Sequence, residues 1–364
     1  MSCAADITIV GGGPAGACAA AILAKAGAKT LLIERTPAPT WKIGETLAPE
    51  ARQILQTLGI WNEFQKSGHL SSFGTHSAWG SDRLSSREFV FNPYGCGWQL
   101  DRARFEQLLE DVCKNAGATI LRGKAAQSFR RNGEHWNLSI GKQSLNTRWL
   151  VDASGRRAAV ARYLGQSRVA LDDLVSIYAV DCGRNKSDTD SRTLVEADPN
   201  GWWYSALMPG RRRTVAWQTD ADLLPDHEWK KPHWFINRIQ ETRHVRKLFD
   251  SQGFAFGQEP RLTSAHSGRL NSCMGEGWVA IGDAAQSFDP LSGQGLFNAL
   301  LTGQHAAEAL IRDWPNIGES LRGYQQGLGL LWKKFIDDRK AFYGAEMRWS
   351  DNPFWRRRSR PFPI

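Results

Sequence analysis

A glycine-rich turn near the start of the chain limits its possible folds more than any other segment. The residues Gly11-Gly12-Gly13-Pro14-Ala15-Gly16 follow a short apolar run and lead into a helix of small residues. In a strand–turn–helix unit, Gly11 permits the tight turn, Gly13 lets the backbone approach a pyrophosphate, and Gly16 lets the helix pack closely on the sheet. We therefore predict that Gly11, Gly13, Pro14, Ala15 and Gly16 bind a dinucleotide, the alternative being a glycine-rich turn without a ligand.

An acidic residue completes this unit. A second predicted strand, residues 30–33, ends at Glu34, and Arg35 follows. Glu34 stands where a carboxylate would accept a hydrogen bond from a ribose hydroxyl. A lone glycine motif is weak evidence, but here strand, turn, helix, strand and acid follow one another within the first 34 residues.

Size and composition favour a globular protein of more than one domain. The chain has 364 residues, and no stretch approaches the roughly 18 apolar residues needed to span a bilayer. The first predicted strand begins too early to leave room for a signal peptide, so we expect a cytoplasmic protein without membrane association. The six cysteines contain no CxxC pair, which matches neither a zinc site nor a disulfide framework.

The net charge of +9 is concentrated in three basic clusters, at residues 211–213, 333–334 and 356–360. Such a surface can be simply solvated, or it can attract an acidic protein or a nucleic acid. Because no nucleic-acid-binding signature accompanies the charge, we expect no nucleic-acid partner. An acidic protein partner is the specific alternative to a solvated surface.

The pattern of strands changes in the middle of the chain. Buried-strand patterns at 149–152 and 277–281 flank a region of short β segments, 174–183, 192–197, 202–208 and 214–219, that no helix interrupts. We therefore predict a discontinuous dinucleotide domain with an antiparallel β-sheet domain inserted. The predicted boundaries are 1–70, 97–170 and 265–340 for the first domain, 71–96 and 171–264 for the second, and 341–364 for a basic C-terminal tail.

Three further motifs carry polar or glycine residues at the ends of predicted strands. Asp152, in Asp-Ala-Ser-Gly-Arg, can support the turn under the pyrophosphate, and Asp283, in Gly-Asp-Ala-Ala, can accept from a ribose or ribityl hydroxyl. For either residue the alternative is an aspartate that caps the next helix. Residues 289–298 open a helix with two glycines, and its positive end suits an electron-rich carbonyl or an anion.

Together these motifs resemble the FAD-dependent monooxygenase superfamily of the para-hydroxybenzoate hydroxylase fold, which includes flavin-dependent halogenases and geranylgeranyl reductases. The resemblance covers roughly residues 5–312. It implies an α/β fold, in which a Rossmann-type, GR2-like FAD-binding domain carries an inserted antiparallel β-sheet and C-terminal helices. It also implies that FAD is bound by the glycine turn, Glu34, Arg35, Gly44, Arg102, Asp152, Asp283, Pro290, Gly293, Gly295 and Leu296.

A narrower resemblance concerns the tryptophan-rich segments 77–82, 92–98 and 201–205. They look like a halogenase-related subgroup that includes the LodB/GoxB-like flavoproteins of cysteine tryptophylquinone biogenesis. This implies a precursor amino-acid oxidase as partner, molecular oxygen as co-substrate and an external reductant of unidentified kind. True halogenases carry a lysine shortly after the Gly-Glu-Ser/Thr segment, whereas residues 73–79 here contain none, and Lys42 is the alternative.

The predicted activity is oxygenation of an indole, most specifically a tryptophan side chain of the partner protein, and it requires no metal. Reduced FAD supplies the chemistry, while the protein binds, orients and excludes water. Glu45 and His76 are the candidate acid or base, with a helix-capping glutamate and a strand histidine as alternatives. Trp79, Trp202 and Tyr204 are the candidate substrate contacts. The rival functions are a hydroxylase or halogenase of a small aromatic metabolite and a non-catalytic flavin-binding assembly factor.

Overall fold

A computed structural model describes residues 3–181, 188–253, 256 and 258–359. The predicted segments 174–183 and 341–364 extend beyond these residues at 182–183 and 360–364. Within the described residues the strands are β1 Cys3–Val10, β2 Thr30–Glu34, β3 Thr46–Leu47, β4 Leu70–Ser72, β5 Gly74–Ala78, β6 Ser85–Glu88, β7 Gly97–Gln99, β8 Thr119–Arg122, β9 Ser128–Asn132, β10 His135–Ile140, β11 Gln143–Asp152, β12 Arg168–Ala170, β13 Leu174–Val180, β14 Thr193–Asp198, β15 Gly201–Met208, β16 Arg212–Asp220, β17 Arg261–Ser264, β18 Gly268–Leu270, β19 Met274–Gly275, β20 Trp278–Ala280 and β21 Gln286–Ser287. The α-helices of the same residues are α1 Pro14–Lys25, α2 Ala51–Thr57, α3 Trp61–Lys66, α4 Arg102–Asn115, α5 Ala159–Tyr163, α6 Pro232–Gln240, α7 His244–Gln252, α8 Gly295–Asp313, α9 Glu319–Gly344 and α10 Pro353–Ser359.

One sheet is built around a parallel core. Strands β20, β11, β1, β2 and β8 run parallel in that order, and β19, β10 and β9 extend the sheet with antiparallel pairs. The apolar runs of β1 and β2 are buried, as expected for strands covered on both faces. Val10 pairs in register with both Ile33 and Asp152. The carboxyl ends of β1, β2 and β11 therefore meet at one edge of the sheet, where ligands of open α/β sheets bind.

The second large sheet has seven strands in the order β17-β13-β16-β15-β14-β5-β6. Its two faces are covered differently, because neighbouring residues on a strand point to opposite sides. Trp203 belongs to a cluster with residues of α6 and α7, while Trp202 belongs to one with residues of α9 and α10. The α/β fold class is confirmed, and the second sheet is antiparallel except where β5, from the earlier segment of the chain, pairs in parallel with β14. The exact domain boundaries stay predictions.

Several helices differ from the sequence-based expectation. Helices α6 and α7 lie in the middle region but were not predicted, and α9 continues to Gly344, beyond the predicted boundary at 340. Within the predicted basic tail, the described residues up to Ser359 include α10, which packs with buried Phe354 and Trp355 against the second sheet. None of the helices in the described residues has the length and apolar character needed to cross a membrane.

Candidate functional site

The glycine turn has the shape that close approach of a phosphate requires. Gly11 has a φ of +114°, and a Cβ there would lie 2.2 Å from the carbonyl oxygen of Ala153. A Cβ on Gly16 would lie 2.0 Å from the carbonyl oxygen of Gly11, whereas one on Gly13 would meet nothing within 4 Å. Gly11 and Gly16 are thus needed for the turn itself. Gly13 instead borders open space at the start of α1, where amides and the helix dipole favour an anion.

Pro14 and Ala15 begin α1 and are buried with Gly16, and no side chain of the described residues caps this helix start. Glu34 faces the turn, since its Oε2 accepts from the Gly12 N–H at 2.7 Å and its Oε1 accepts from the Thr36 N–H at 2.8 Å. Partial burial alone would raise the pKa of Glu34, but these hydrogen bonds outweigh burial and hold the pKa below its usual value. The carboxylate is therefore ionised and suited to accept from a ribose hydroxyl. Arg35 is exposed beside it.

Arg102 holds the loop that carries Gly44. Its Nη1 donates to the Gly44 carbonyl oxygen at 2.6 Å, and its Nη2 donates to Glu106 Oε1 at 2.7 Å. Lys42 Nζ lies 2.8 Å from the other oxygen of Glu106, so α4 anchors this loop at two points. The Arg102 Nε is buried and has no hydrogen-bond partner among the described residues. That free donor fits the role in FAD binding that the resemblance assigns to Arg102.

The two strand-end aspartates have different roles. Asp152 is fully buried, and its carboxylate accepts from Ser154 and from the Ala161 N–H within its own turn. Asp152 supports its own turn and also accepts from an N–H of α5, so these contacts fit both roles stated for it, turn support and capping of the next helix. Asp283 is partly exposed, and its Oδ2 lies 3.2 Å from Arg156 Nη1. Its other oxygen fits a flavin-side hydroxyl.

The predicted flavin loop lies open at the start of α8. Pro290, Gly293 and Gly295 are exposed, and Leu296 is buried behind them. A Cβ on Gly293 or Gly295 would meet nothing within 4 Å, so the backbone can lie flat against a planar ring. The residues present therefore fit FAD: a cradle at α1, ionised Glu34, unpaired Arg102 Nε and this flat loop.

Glu45 and Tyr204 are brought together where this FAD-binding region meets the second sheet. The Tyr204 hydroxyl donates to Glu45 Oε1 at 3.1 Å and lies 2.8 Å from Thr46 Oγ1, which itself donates to Gln99 Oε1 at 2.9 Å. These four side chains make three contacts with one another, and each contact needs one proton. The two hydroxyl groups supply only two protons, so a proton on Glu45 would satisfy the third contact. Full burial raises the pKa of Glu45, although hydrogen bonds from Tyr204 and Gly44 act against it. The pair can therefore store a proton.

His76, the other candidate acid or base, is not part of this pair. His76 of β5 pairs with Leu194 of β14, and Leu194 pairs with Ser205 of β15. Ser205 is the residue next to Tyr204 on that strand. His76 and Tyr204 thus project from opposite faces of the sheet. The imidazole contacts Ser86 Oγ at 2.7 Å and Asp190 Oδ2 at 3.3 Å instead. This is the strand histidine given as the alternative.

Two predicted substrate contacts are packing residues. Trp202 is fully buried, and its indole N–H donates to the Tyr343 hydroxyl at 3.0 Å. Trp79 donates to the Phe342 carbonyl oxygen at 2.7 Å and packs edge-on against Trp355 at 5.3 Å between ring centroids. Both indoles hold the C-terminal helices against the sheet, because their long-range partners come from α9 and α10. Tyr204 remains as a substrate-facing candidate.

A cavity of about 500 Å³ lies beside the loop before Gly44, with Trp41, Tyr178, Arg212 and Arg261 in its wall. Tyr178 pairs with Ala216, which pairs with Tyr204, so the two tyrosines lie on one face about 10 Å apart. Trp41 contacts Tyr178 at 5.8 Å between ring centroids, and its buried Nε1 has no hydrogen-bond partner within the described chain. The loop from Trp41 to Glu45 therefore joins this cavity to the acid.

Sequence reasoning missed several of these residues. Thr46 and Gln99 were not assigned, although Thr46 belongs to the Gly-Glu-Thr segment. Glu106 stands four residues after Arg102, a spacing that predicts a helical ion pair. Asp289 opens the flavin-loop motif, but nothing in the sequence links it to Tyr343, 54 residues later.

Comparison with known proteins agrees with this geometry. The sequence model of the FAD_binding_3 family, described as an FAD binding domain, matches residues 4–311. The chain is 29% identical to the "Putative FAD-dependent oxidoreductase LodB" of Marinomonas mediterranea over 97% of its own length and 96% of that protein.

Among solved structures, the fold is similar to the myxobacterial chondrochloren halogenase CndH, with a TM-score of 0.84 at 22% identity, over 98% of this chain and 86% of that one. It is also similar to QhpG, a "peptidyl tryptophan dihydroxylase … essential for tryptophylquinone cofactor biogenesis", with a TM-score of 0.80 at 23% identity, over 100% and 81% of the two chains. At these identities the structures support the shared fold.

Proposed function

The chain belongs to the FAD_binding_3 family and is an FAD-dependent oxidoreductase, and from this premise we propose that it is a monooxygenase acting on an indole. The proposed substrate is a tryptophan side chain within a precursor oxidase, modified during the formation of a tryptophylquinone cofactor. The observation that carries the proposal is the hydrogen bond between buried Glu45 and partly buried Tyr204 at the junction of the FAD-binding region and the second sheet. The likeness to LodB and QhpG supports the choice of substrate.

FAD, when bound and reduced, supplies two electrons, so that one atom of O2 enters the ring and the other leaves as water. The chain's own residues handle position and protons. Glu45, with its raised pKa, can take up the proton that the ring carbon loses on hydroxylation, and Tyr204 orients that carboxyl through its hydroxyl. The complete burial of Glu45 keeps water from the same site.

The surroundings of Lys42 favour oxygenation over halogenation. The resemblance assigns halogenases a lysine near the flavin, and Lys42 is the alternative named for that role. Its ammonium is 2.8 Å from Glu106 Oε2, in an ion pair that also includes Arg102. An ammonium held in this way is engaged in anchoring the loop, which supports a function without halide.

The cavity beside Trp41, whose wall residue Tyr178 lies about 10 Å along the sheet from Tyr204, suits a side chain that remains attached to its protein. A cavity of about 500 Å³ is within the usual size of ligand sites and can hold an indole with part of its backbone. Tyr178, Ala216 and Tyr204 lie side by side on one face of the second sheet. The small side chain of Ala216 is therefore flanked by an aromatic ring on each side. This arrangement supports an aromatic substrate approaching along the sheet from Trp41 towards Glu45.

An exposed apolar surface supports a protein as the partner. Phe73 is 58% exposed, Leu84 44%, Val90 77% and Phe91 93%, all within one segment around β6. Exposed large apolar side chains concentrated in one segment are typical of an interaction site. The exposed side chains of Arg83 and Arg87 lie in the same segment, which suits acidic residues around an apolar contact on the precursor. The ring of Phe89 lies near Gly97 and Leu47, so this surface adjoins the strand that follows Glu45.

The test is single turnover of the FAD-loaded protein, reduced chemically under anaerobic conditions and then mixed with O2 and one candidate substrate. We expect a mass gain of one or two oxygen atoms on a tryptophan of the unmodified precursor, and none on free tryptophan or simple phenols. Comparable turnover of free tryptophan, or a brominated product when bromide is present, would favour the small-molecule alternatives. Reduced flavin that modifies no substrate would favour the assembly factor.

Variants on the two faces of the sheet supply the matched control. Glu45→Gln should lower the rate of product formation by about 100-fold while FAD remains bound, because the proton acceptor is lost. His76→Gln lies on the opposite face and should leave the rate within about twofold. Equal losses in the two variants would contradict the assignment of Glu45.

A further inference from the structure

The flavin loop takes its conformation from one buried carboxylate. Asp289 Oδ1 accepts from the Leu291 N–H at 2.9 Å, and the Asp289 carbonyl oxygen accepts from the Ser292 hydroxyl at 2.9 Å. These bonds close the 3-10 turn Pro290–Ser292, which leads directly into Gly293 and the start of α8. Because Asp289 is buried, the orientation of its carboxylate determines how the loop presents its backbone.

A hydroxyl group of α9 contacts that carboxylate from the other side. The Tyr343 hydroxyl donates to Asp289 Oδ2 at 2.8 Å and accepts from the Trp202 indole N–H at 3.0 Å. A phenol hydroxyl has one proton to donate, so the Trp202 contact requires it to act as the acceptor. The direction of the Trp202 bond is therefore determined, the phenol donates to Asp289 when that carboxylate is ionised, and the two bonds link the second sheet to the flavin loop.

The ring of Tyr343 is held firmly enough to transmit this link. The guanidinium groups of Arg339 and Arg358 lie 4.9 Å and 5.2 Å from its centroid. Arg339 in turn bonds Asp172 at 3.0 Å and lies 3.7 Å from Asp289 Oδ2. The phenol is thus fixed by cation–π contacts, and its hydroxyl has little freedom to point elsewhere.

We propose that Tyr343 is a positioning residue for FAD. Its hydroxyl fixes the Asp289 carboxylate, and through that carboxylate it connects the loop beside the flavin ring to Trp202 of the second sheet. The proposal goes beyond the oxygenation of tryptophan and needs only that the chain binds FAD. It gives the C-terminal helix α9 a role in the cofactor site, although α9 lies outside the residues that the family model matches.

The test is Tyr343→Phe in the full-length, FAD-loaded protein. The ring and its cation–π contacts remain. Asp289 Oδ2 loses the hydrogen bond from the Tyr343 hydroxyl, and the Trp202 N–H loses its acceptor. We expect roughly tenfold weaker FAD binding, about the effect of one buried hydrogen bond, together with a shift in the visible flavin absorbance bands. The readouts are FAD titration and the absorbance spectrum.

Tyr324→Phe is the matched control. Tyr324 is another buried phenol of α9, and its hydroxyl donates to the Ala280 carbonyl oxygen at 2.9 Å without contacting the flavin loop. We expect a similar fall in Tm but an unchanged flavin spectrum and FAD affinity within about twofold. If Tyr343→Phe behaves in the same way, Tyr343 merely stabilises the fold and the proposal fails.

Asp289→Asn tests the route through the carboxylate. This change keeps the shape of the side chain but weakens its bonds to Tyr343 and Leu291, so FAD binding should weaken in the same direction. If Tyr343 acts through Asp289, the double variant should lose less affinity than the two separate losses combined. Fully additive losses, or a single Asp289→Asn variant with normal affinity and spectrum, would overturn the proposal.

Discussion

At the scale of single residues, burial decides what two similar carboxylates do. Glu34 and Glu45 each accept hydrogen bonds from a glycine N–H and from a neighbouring hydroxyl group. Glu34 is half-buried and its pKa is lowered, whereas Glu45 is fully buried and its pKa is raised. One is thereby suited to accept from a ribose hydroxyl as an anion, and the other to hold a proton.

These opposite shifts predict opposite dependences of stability on pH. For Glu45 the folded-state pKa is above the unfolded value, so its contribution is present below the unfolded pKa and is lost as pH rises through the folded pKa. Without cofactor, the stability of Glu45→Gln relative to wild type should therefore increase as pH rises above the unfolded-state pKa of a glutamate. Urea denaturation of both proteins at several pH values measures this difference in the free energy of unfolding.

Glu34→Gln serves as the comparison, because the pKa of Glu34 is shifted in the opposite direction from that of Glu45. The lowered pKa of Glu34 makes its contribution present above the unfolded pKa and lost as pH falls through the folded pKa. This variant should therefore be less stable than wild type near neutral pH, with the difference shrinking towards low pH. Two variants with parallel stability profiles would contradict the assigned shifts.

At the scale of elements, the β1–α1–β2 unit separates glycines needed for folding from a glycine needed for binding. Gly16 packs α1 against the turn, while Gly13 borders open space at the helix start. This unit was predictable because its signals are local: an apolar strand, a turn motif and an acid. Helices α6 and α7 were missed because the alternating pattern of the strands around them dominated the interpretation of that region.

The two glycines should respond differently to the same small change. Gly16→Ala places a Cβ 2.0 Å from a carbonyl oxygen and should destabilise the cofactor-free protein by about 2 kcal/mol. Gly13→Ala should leave cofactor-free stability nearly unchanged but weaken FAD binding by at least about tenfold, because the methyl group occupies the space of the phosphates. Thermal unfolding and FAD titration separate the two effects.

Gly329→Ala controls for the general effect of replacing glycine in a helix. Gly329 lies inside α9 with nothing within 4 Å of an added Cβ. This variant should be neutral or more stable by up to about 1 kcal/mol. A Gly13→Ala protein that binds FAD as tightly as wild type would show that the phosphates lie elsewhere.

At the scale of the whole molecule, the C-terminal helices join the two sheets. Arg358 belongs to the segment predicted as a basic C-terminal tail, and it is buried and pairs with Asp220 of β16 through both carboxylate oxygens, at 2.6 Å and 3.0 Å. Arg357 contacts the same aspartate at 3.0 Å, while Arg356 is exposed. Adjacent arginines that look alike in the sequence therefore have different surroundings.

This difference predicts unequal effects for one substitution at two neighbouring sites. Arg358→Met leaves a buried carboxylate with one partner fewer and should cost about 3 kcal/mol of unfolding free energy. Arg356→Met should stay within about 0.5 kcal/mol of wild type, as exposed changes usually do. Chemical denaturation gives both values, and equal effects would mean that α10 does not dock as described.

Local sequence patterns were sufficient to predict that the chain binds FAD, because each motif of the FAD-binding region lies within a few residues of a strand end. They also placed Tyr204 and Glu45 among the candidates. They could not separate Tyr204 from His76, which projects from the opposite face, or from Trp202, which shares the face of Tyr204 but lies under α9 and α10, because alternation along a strand does not say what covers each residue. Contacts between residues distant in sequence decided that: α6 and α7 cover one face, while α9, α10 and the loop of Glu45 cover the other.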